Sequence, residues 1–188
     1  GFSHTHLSGT GRSDLMDVML MPATGNLKLN PGSKDKPDEG YRSRFSHDEE
    51  SASPGYYKVR LKDYDIMAEL TVSPRCGFHR YTFPESKSSH IILDLSHHFA
   101  TDSVLFTSMN RIDSCTIIGE RRTKGWGEPG EKYWSEQQLF FALKVSKAFD
   151  LSVAVDDLFI QEKQASGKNI KAILNFETSS NEMVLVKV

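Results

Sequence analysis

Residues 57 to 73 read Tyr57-Lys58-Val59-Arg60-Leu61-Lys62-Asp63-Tyr64-Asp65-Ile66-Met67-Ala68-Glu69-Leu70-Thr71-Val72-Ser73. Apolar and polar side chains alternate along both halves of this stretch, with a polar break at Lys62-Asp63. Because successive side chains of a β-strand point to opposite faces, a period of two predicts strands with one buried face. Two such strands joined by a short break predict an antiparallel hairpin.

On both sides of this hairpin the sequence contains further short segments that favour strands. Residues 139–145 are ambiguous, because Ser135 followed by Gln138 could also form a helix-capping box. Many short strands with turn signals between them, and no clear helix, predict an all-β protein, an antiparallel β-sandwich of about ten or more short strands. We expect a single domain over residues 1–188. The remaining predicted strands are 16–21, 76–83, 90–95, 151–155 and 183–188, a hairpin of 103–107 and 112–119 turning at Met109-Asn110, and a hairpin of 158–161 and 170–176 around 165–168.

Two long polar segments interrupt this pattern. Residues 22–54 are rich in Pro, Gly, Ser and charged residues, and they predict a long loop. Long loops in compact domains are usually functional or disordered, and 33–40 is the part for which we expect disorder. Residues 123–132 predict a second loop with Trp126 near its tip.

The composition excludes several classes of function. The 188 residues carry a formal net charge of −2, so they lack the basic surface that nucleic-acid binding needs. The apolar runs are too short to span a membrane, and no signal-peptide pattern is present. The chain opens inside a motif and without Met, so we expect a piece of a longer protein. Cys76 and Cys115 allow at most one disulfide, and two free buried thiols are the favoured alternative.

The opening motif, Gly1-Phe2-Ser3-His4-Thr5-His6-Leu7-Ser8-Gly9-Thr10-Gly11, holds the densest group of chemically capable side chains. It predicts the end of a strand followed by a polar loop. In a strand His4 and His6 share a face, so both imidazoles could point at one target on the rim or floor of a polar cleft. The pair could ligate a metal together with His47, Glu49 or His79, although no spacing connects these residues. Contact with a sugar and a purely structural role are the two favoured interpretations.

Other candidate residues are weaker. Trp126 could stack on a sugar or cap the edge of the sandwich. The run from Asp48 to Glu50 is interpreted as a solvated acidic segment, because an inverting glycosidase needs two carboxylates about 6.5–9.5 Å apart across the substrate. A buried Arg75 or Arg80 would need a carboxylate such as Glu69 or Asp94. No nucleophile elbow and no phosphate-binding glycine loop is present.

The opening motif resembles a hallmark of glycoside hydrolase family 92, the calcium-dependent exo-acting α-mannosidases. Further blocks agree with the family and come in the same order. They are residues 45–50 (FSHDEE), 54–59 (PGYYKV), 68–71 (AELT), 75–84 (RCGFHRYTFP), 91–95 (IILDL), 125–126 (GW) and 184–188 (VLVKV). The resemblance covers nearly the whole chain, and it favours a strand for 139–145 and a supersandwich-like fold.

The resemblance implies a domain of a larger enzyme that removes terminal α-mannosides from glycans with inversion. In similar proteins an N-terminal β-sandwich packs against a helical barrel of the same polypeptide. The acid, the base and most calcium ligands belong to that helical part, so we expect no catalytic residue and no metal ligand set in this chain alone. The residues expected to face substrate are His4, Thr5, His6, Ser8, Gly9, Thr10, Arg12 and, more weakly, Trp126.

The same resemblance implies an extracytoplasmic location and a mannose-containing glycan as ligand. A stand-alone carbohydrate-binding or interaction module is the alternative function. Because strands that precede Gly1 in the family are missing from the sequence, we also expect an exposed sheet edge and possible self-association.

Overall fold

The computed structural model describes residues 1–6, 15–33, 35–98, 102–125 and 135–188, and two antiparallel β-sheets account for most of them. The described residues contain no α-helix and only two single turns of 3-10 helix, Pro37–Glu39 and His47–Glu49. In chain order the strands are β1 (Phe2–His4), β2 (Asp17–Thr24), β3 (Glu50–Ser53), β4 (Tyr56–Leu61), β5 (Ile66–Ser73), β6 (Cys76–Phe83), β7 (Ser86–Asp94), β8 (Ser103–Arg111), β9 (Thr116–Gly125), β10 (Ser135–Val145), β11 (Asp150–Val155), β12 (Leu158–Ile160), β13 (Gln164–Gly167), β14 (Ile170–Thr178) and β15 (Glu182–Lys187).

The smaller sheet has six strands in the order β1-β2-β7-β14-β11-β12. Its central strands are buried on consecutive residues, as in Ile91, Ile92 and Leu93, so both of its faces are covered. Part of that cover comes from the long polar segment, because Tyr41 is buried and donates its hydroxyl to Asp94 at 2.8 Å. Continuous apolar runs are the pattern expected of strands buried on both faces.

The larger sheet has nine strands in the order β13-β8-β9-β10-β15-β6-β5-β4-β3. Its strands alternate between buried and exposed residues, as in β6, where His79, Tyr81 and Phe83 face the core. The all-β antiparallel architecture predicted from the sequence is therefore confirmed. The β4–β5 hairpin, the bounds of β6 and the strand interpretation of 139–145 are also confirmed.

The predicted hairpin of 103–107 and 112–119 is confirmed as the β8–β9 pair, but its turn was misplaced, and the predicted hairpin of 158–161 and 170–176 was wrong. Met109 and Asn110 lie inside β8, and the turn to β9 is at residues 112–115. Strands β12 and β14 both pair with β11 rather than with each other. The segment between them, β13, belongs to the other sheet and pairs with β8. A local alternation pattern predicts a strand but not the strand with which it pairs. These pairings could therefore not be predicted from the sequence.

The described residues of the long segment 22–54 contain more regular structure than the sequence predicted. It contains both 3-10 turns and β3, which forms the edge of the larger sheet beside β4. Ser46 caps the second turn by accepting a hydrogen bond from the Asp48 amide. Cys76 and Cys115 are free, as expected, but they are half-exposed rather than buried.

The edges of the smaller sheet are β1 and β12, and β12 exposes Leu158 and Phe159. Such an edge can pair with another chain, and self-association stays a prediction. Among the described residues, no helix has the length and apolar character needed to cross a bilayer.

Candidate functional site

The opening strand is held against the core by both sheets. Strand β1 pairs with β2, with Phe2 opposite Leu20, His4 opposite Asp17, and an irregularity between them. The Phe2 ring lies 6.3 Å from the His79 ring and 6.2 Å from the Tyr81 ring, measured between centroids. Thus β1 belongs to the smaller sheet by its backbone and contacts β6 of the larger sheet by its side chains.

A chain of hydrogen bonds runs from β1 into the core, and its geometry fixes the tautomer of each imidazole. The Val18 carbonyl can only accept, so His4 donates from Nδ1, at 2.7 Å. His4 Nε2 then accepts from His79 Nε2 at 3.0 Å, which leaves His79 Nδ1 to accept from the Tyr81 hydroxyl at 2.7 Å. Every nitrogen in the chain has a partner when both imidazoles are neutral.

Burial keeps these groups uncharged. It lowers the pKa of His79 to about 3, with a further contribution from His4, and it also lowers the pKa of His4. The pKa of Tyr81 is raised well above its ordinary value by burial. A neutral His4 with both nitrogens engaged cannot bind a metal or a sugar hydroxyl without breaking this chain. Its geometry therefore favours positioning of the opening segment.

The close approach of His4 depends on Gly77 of β6. A Cβ atom at residue 77 would lie 2.7 Å from His4 Cδ2 and 2.8 Å from His4 Nε2. Only a residue without a side chain leaves room for the imidazole at this point.

A buried ion pair lies next to the opening segment and joins the two sheets. Asp17 of β2 and Arg121 of β9 are both fully buried, and their side chains are in direct contact. Arg121 also donates to the backbone carbonyls of Leu95, at 3.0 Å, and His97. The second oxygen of Asp17 accepts hydrogen bonds from Thr5 and Gln137. Asp17 therefore connects the core to Thr5.

Thr5 adopts a backbone conformation that is unusual for its type. Its φ is +57°, in the left-handed region that β-branched residues seldom enter. The hydroxyl lies within hydrogen-bonding distance of Asp17 and, at 2.7 Å, of the His4 carbonyl. These contacts stabilise the turn of the chain at the end of β1.

This network was not predicted from the sequence. The predicted strand 112–119 ended before Arg121, whereas β9 continues to Gly125. Extending the alternation would have placed Ile117, Arg121 and Thr123 on one inward face. An arginine among inward residues of a strand predicts a buried carboxylate partner. Arg80 is half-exposed and pairs with Glu69, at 2.6 Å, which was one of its two predicted partners.

The opening segment lines a cleft of about 900 Å³. His4, Thr5 and His6 are thus brought together at one cleft, although its other walls are mainly apolar rather than polar. The described lining residues are Phe2, Ser3, His4, Thr5, His6, Val18, Leu70, Thr71, Val72, Ser73, Pro74, Arg75, Cys76, Gly77, His79, Leu139, Phe140, Phe141, Ala142, Lys144, Lys187 and Val188. The other predicted substrate-facing residues, Ser8, Gly9, Thr10, Arg12 and Trp126, lie outside the described residues.

The sequence profile of the glycosyl hydrolase family 92 N-terminal domain matches residues 1–188. The chain belongs to this family. A GH92 α-mannosidase from Bacteroides thetaiotaomicron is 40% identical over 100% of this chain, with a TM-score of 0.91. Its structure in complex with mannoimidazole gives 40% identity over 100% of the chain and a TM-score of 0.90.

An uncharacterized secreted glycosidase from Arthroderma benhamiae is 30% identical over 97 residues, which are 47% of this chain and 11% of that protein. The GH92 domain spans 25% of the length of each of the two solved bacterial chains.

In the part of the GH92 domain that the structure describes, no acid–base pair of carboxylates lies at the cleft. None of the described lining residues is Asp or Glu. Glu69 accepts from Arg80 and Tyr56, and these hydrogen bonds lower its pKa to about 2, which makes it a poor general acid. Glu49 pairs with Lys62 at 2.9 Å, and Glu50 accepts from Tyr57 and His47. The acidic run is therefore partly paired rather than simply solvated.

The described part of the GH92 domain does not fit a calcium ion. Calcium takes six to eight oxygen ligands, usually including carboxylates. The charged groups that line the cleft are instead the basic side chains of Arg75, Lys144 and Lys187. No group of three or more His, Cys, Asp or Glu suitable for a metal occurs among the described residues. His47 and Glu49 do not line the cleft with His4 and His6.

The buried histidines predict a loss of stability in mild acid. His79 takes up a proton more readily in the unfolded chain, with a pKa of 6.5, than in the folded chain, with a pKa of about 3. The contribution of neutral His79 to the free energy of unfolding is therefore complete above pH 6.5. It decreases by about 1.4 kcal/mol per pH unit as the pH falls towards 3. Urea unfolding of the GH92 domain between pH 7 and pH 4.5 measures this slope. His79→Gln should lose this component, whereas His6→Gln, at an exposed residue, should keep it; equal slopes for wild type and His79→Gln would contradict the assignment.

Proposed function

We propose that this GH92 domain is the N-terminal part of an exo-acting, inverting α-mannosidase that removes terminal α-mannosides from glycans outside the cytoplasm. The observation that carries the proposal is the match of the whole chain to the family domain, together with 40% identity to a bacterial α-mannosidase. The secreted fungal relative supports the proposed location.

The role we propose for the domain is to shape the substrate pocket rather than to transfer protons. Inversion requires an acid and a base about 6.5–9.5 Å apart on opposite sides of the glycosidic bond. Among the described carboxylates, Asp17 forms an ion pair with Arg121 and Glu69 forms one with Arg80. We therefore assign the acid, the base and the implied calcium ion to a helical domain of the same polypeptide.

Within the opening motif the residues divide into two roles. His4 and Thr5 are anchored to Val18 and Asp17, and they hold the segment in place. His6 is exposed on the cleft, with Nε2 3.1 Å from the Ser3 carbonyl. We propose that His6 contacts the sugar together with Ser8, Gly9, Thr10 and Arg12. Trp126 is proposed as a stacking platform, because an indole face packs well on the apolar face of a sugar.

An aryl α-mannoside assay tests this proposal. We expect no measurable turnover by the 188-residue chain, and turnover that is sensitive to a chelator by the longer polypeptide. In the longer polypeptide, His6→Ala should lower kcat/KM by about 10-fold, the effect of losing about one hydrogen bond to the substrate.

His47→Ala is the matched control, since His47 is also an exposed histidine but does not line the cleft. The activity of the His47→Ala variant should equal that of the parent protein. Turnover by the 188-residue chain would show that the catalytic groups have been misplaced. Glycan binding without turnover in the longer polypeptide would instead favour a carbohydrate-binding module.

A further inference from the structure

The buried Asp17–Arg121 pair lies where two segments leave the smaller sheet at one corner of the sandwich. Strand β1 ends and β2 begins there, with His4 opposite Asp17. Strand β7 ends beside them, because its last residue, Asp94, lies in register with β2. Arg121 reaches this corner from β9 of the larger sheet. The opening segment and residues 95–98, which we call the β7 extension, therefore both start next to one ion pair.

Arg121 fixes the backbone of the β7 extension. Its Nε donates to the Leu95 carbonyl at 3.0 Å, and its Nη2 donates to the His97 carbonyl. At the start of the extension, one carboxylate oxygen of Asp94 accepts from the Ser96 amide at 2.8 Å and from the Ser96 hydroxyl at 2.6 Å. The position of this segment thus depends on the guanidinium group as well as on the end of β7.

Asp17 fixes the opening segment from the other side of the ion pair. The carboxylate oxygen that does not contact Arg121 Nη1 accepts from the Thr5 hydroxyl. One ion pair, with one hydrogen bond at each end, therefore connects Thr5 to His97. The residue that follows each of them is an exposed histidine, His6 in the opening segment and His98 in the β7 extension.

Stability alone does not account for this pair. Both side chains are almost completely buried, and the cost of removing two charges from water often cancels their attraction. Apolar side chains of similar size would fill the same space without that cost. They would not supply direction, whereas the planar guanidinium of Arg121 uses Nε, Nη1 and Nη2 to bind three separate acceptors. The geometry of the pair is therefore that of a positioning device.

We propose that the Asp17–Arg121 pair positions two segments of one glycan site, the opening segment and the β7 extension, and that His98 contacts the sugar beside His6. An imidazole nitrogen donates to or accepts from a hydroxyl, so either histidine suits this ligand. A common anchor holds the two segments in place before the sugar binds, which reduces the entropy lost on binding. The inference rests on the proposed function, since it takes a glycan as the ligand.

Replacing both charges with apolar side chains separates positioning from stability. The double variant Asp17→Leu with Arg121→Met contains no unpaired ion, so we expect it to fold. It also releases Thr5 and the His97 carbonyl. In the aryl α-mannoside assay on the longer polypeptide, KM should rise on the order of 10-fold with little change in kcat, because binding is weakened rather than the chemical step. A parent-like KM in the folded double variant would overturn the positioning role.

Arg121→Lys covers the case in which the double variant does not fold. Lysine keeps a positive charge beside Asp17, but its single ammonium group replaces the planar fork that binds the two backbone carbonyls. We therefore expect a folded protein with the same rise in KM. A parent-like KM in this variant would overturn the proposal as well.

His98→Ala tests the second contact, and His47→Ala is its control, because His47 is also exposed but pairs with Glu50. The KM of His98→Ala should rise on the order of 10-fold, as for His6→Ala, while His47→Ala keeps the parent value. A raised KM in His6→Ala alone would overturn the inference and leave the proposed function intact. If the longer polypeptide shows no turnover, the proposed function fails, and the dissociation constant for methyl α-mannoside in the same variants decides the inference in the same way.

Discussion

Replacing Asp17 with Ala should destabilise the GH92 domain by about 3–5 kcal/mol, because the guanidinium of Arg121 would remain buried without its counter-ion. Both side chains are almost completely inaccessible to solvent, at 1% and 0% exposure, so water cannot replace the lost contact. Burial already lowers the pKa of Arg121 to about 10, which leaves the side chain charged at neutral pH. Urea unfolding at pH 7 would show the effect as a lower midpoint at an unchanged slope.

The matched control for this prediction is Glu69→Ala, which breaks the Glu69–Arg80 pair. Arg80 is 45% exposed, and an ion pair of this kind contributes less than about 1 kcal/mol. If Asp17→Ala prevents folding, the double variant Asp17→Leu with Arg121→Met should restore a folded protein, since removing both charges leaves no unpaired ion. Equal costs for Asp17→Ala and Glu69→Ala would refute the role assigned to the buried pair.

Substituting Gly77 with Ala should cost about 1–3 kcal/mol and displace the opening strand, because the added methyl group enters the space of the His4 ring. The ring cannot move freely, since Val18 and His79 hold its two nitrogens. Gly77 cannot retreat, because it is bonded to Val188 in the middle of the larger sheet. The displacement should be visible as faster hydrogen exchange of the β1 amides. It should also weaken the pH dependence of the free energy of unfolding that is due to His79.

Gly167→Ala provides the comparison for this substitution. Gly167 also lies in a strand of the larger sheet, but a Cβ there would be 3.4 Å from the nearest atom, a side-chain carbon of Val155. We therefore expect a stability within about 0.5 kcal/mol of wild type. A Gly77→Ala protein as stable as Gly167→Ala, with unchanged exchange in β1, would mean that the approach of His4 is not constrained.

Much of the local structure could be predicted from the sequence because its causes are local. In β4 and β5 the alternation of residues such as Val59 and Lys58 selects one face for the core, and the polar break at Lys62-Asp63 sets the turn. The end of β6 was predicted correctly because Pro84 follows it directly, and proline cannot donate a hydrogen bond to a strand ladder. The same reasoning gave no partner for β13. This strand lies between β12 and β14 in the sequence, but it pairs with β8 in the other sheet.

The candidate site was predicted only as far as its residues lie close together in the chain. His4 and His6 both line one cleft, but β1 ends at His4, so the shared strand face predicted for the pair is not what brings them there. The substrate contacts proposed for them stay predictions. The sequence did not reveal that His4 meets His79, because 75 residues separate them. The partners of Asp17 are equally remote, at Arg121 and Gln137.

By itself the sequence determined the fold class, most strands and the family, because periodicity, turn residues and ordered motifs are properties of neighbouring residues. Only the tertiary structure decided which groups are paired, neutral or free. The pKa of His79, the ion pair of Arg121 and the pairing of β13 with β8 each depend on strands that are distant in the chain. Burial and strand register arise when two sheets pack together, and these physical quantities have no counterpart in a local pattern.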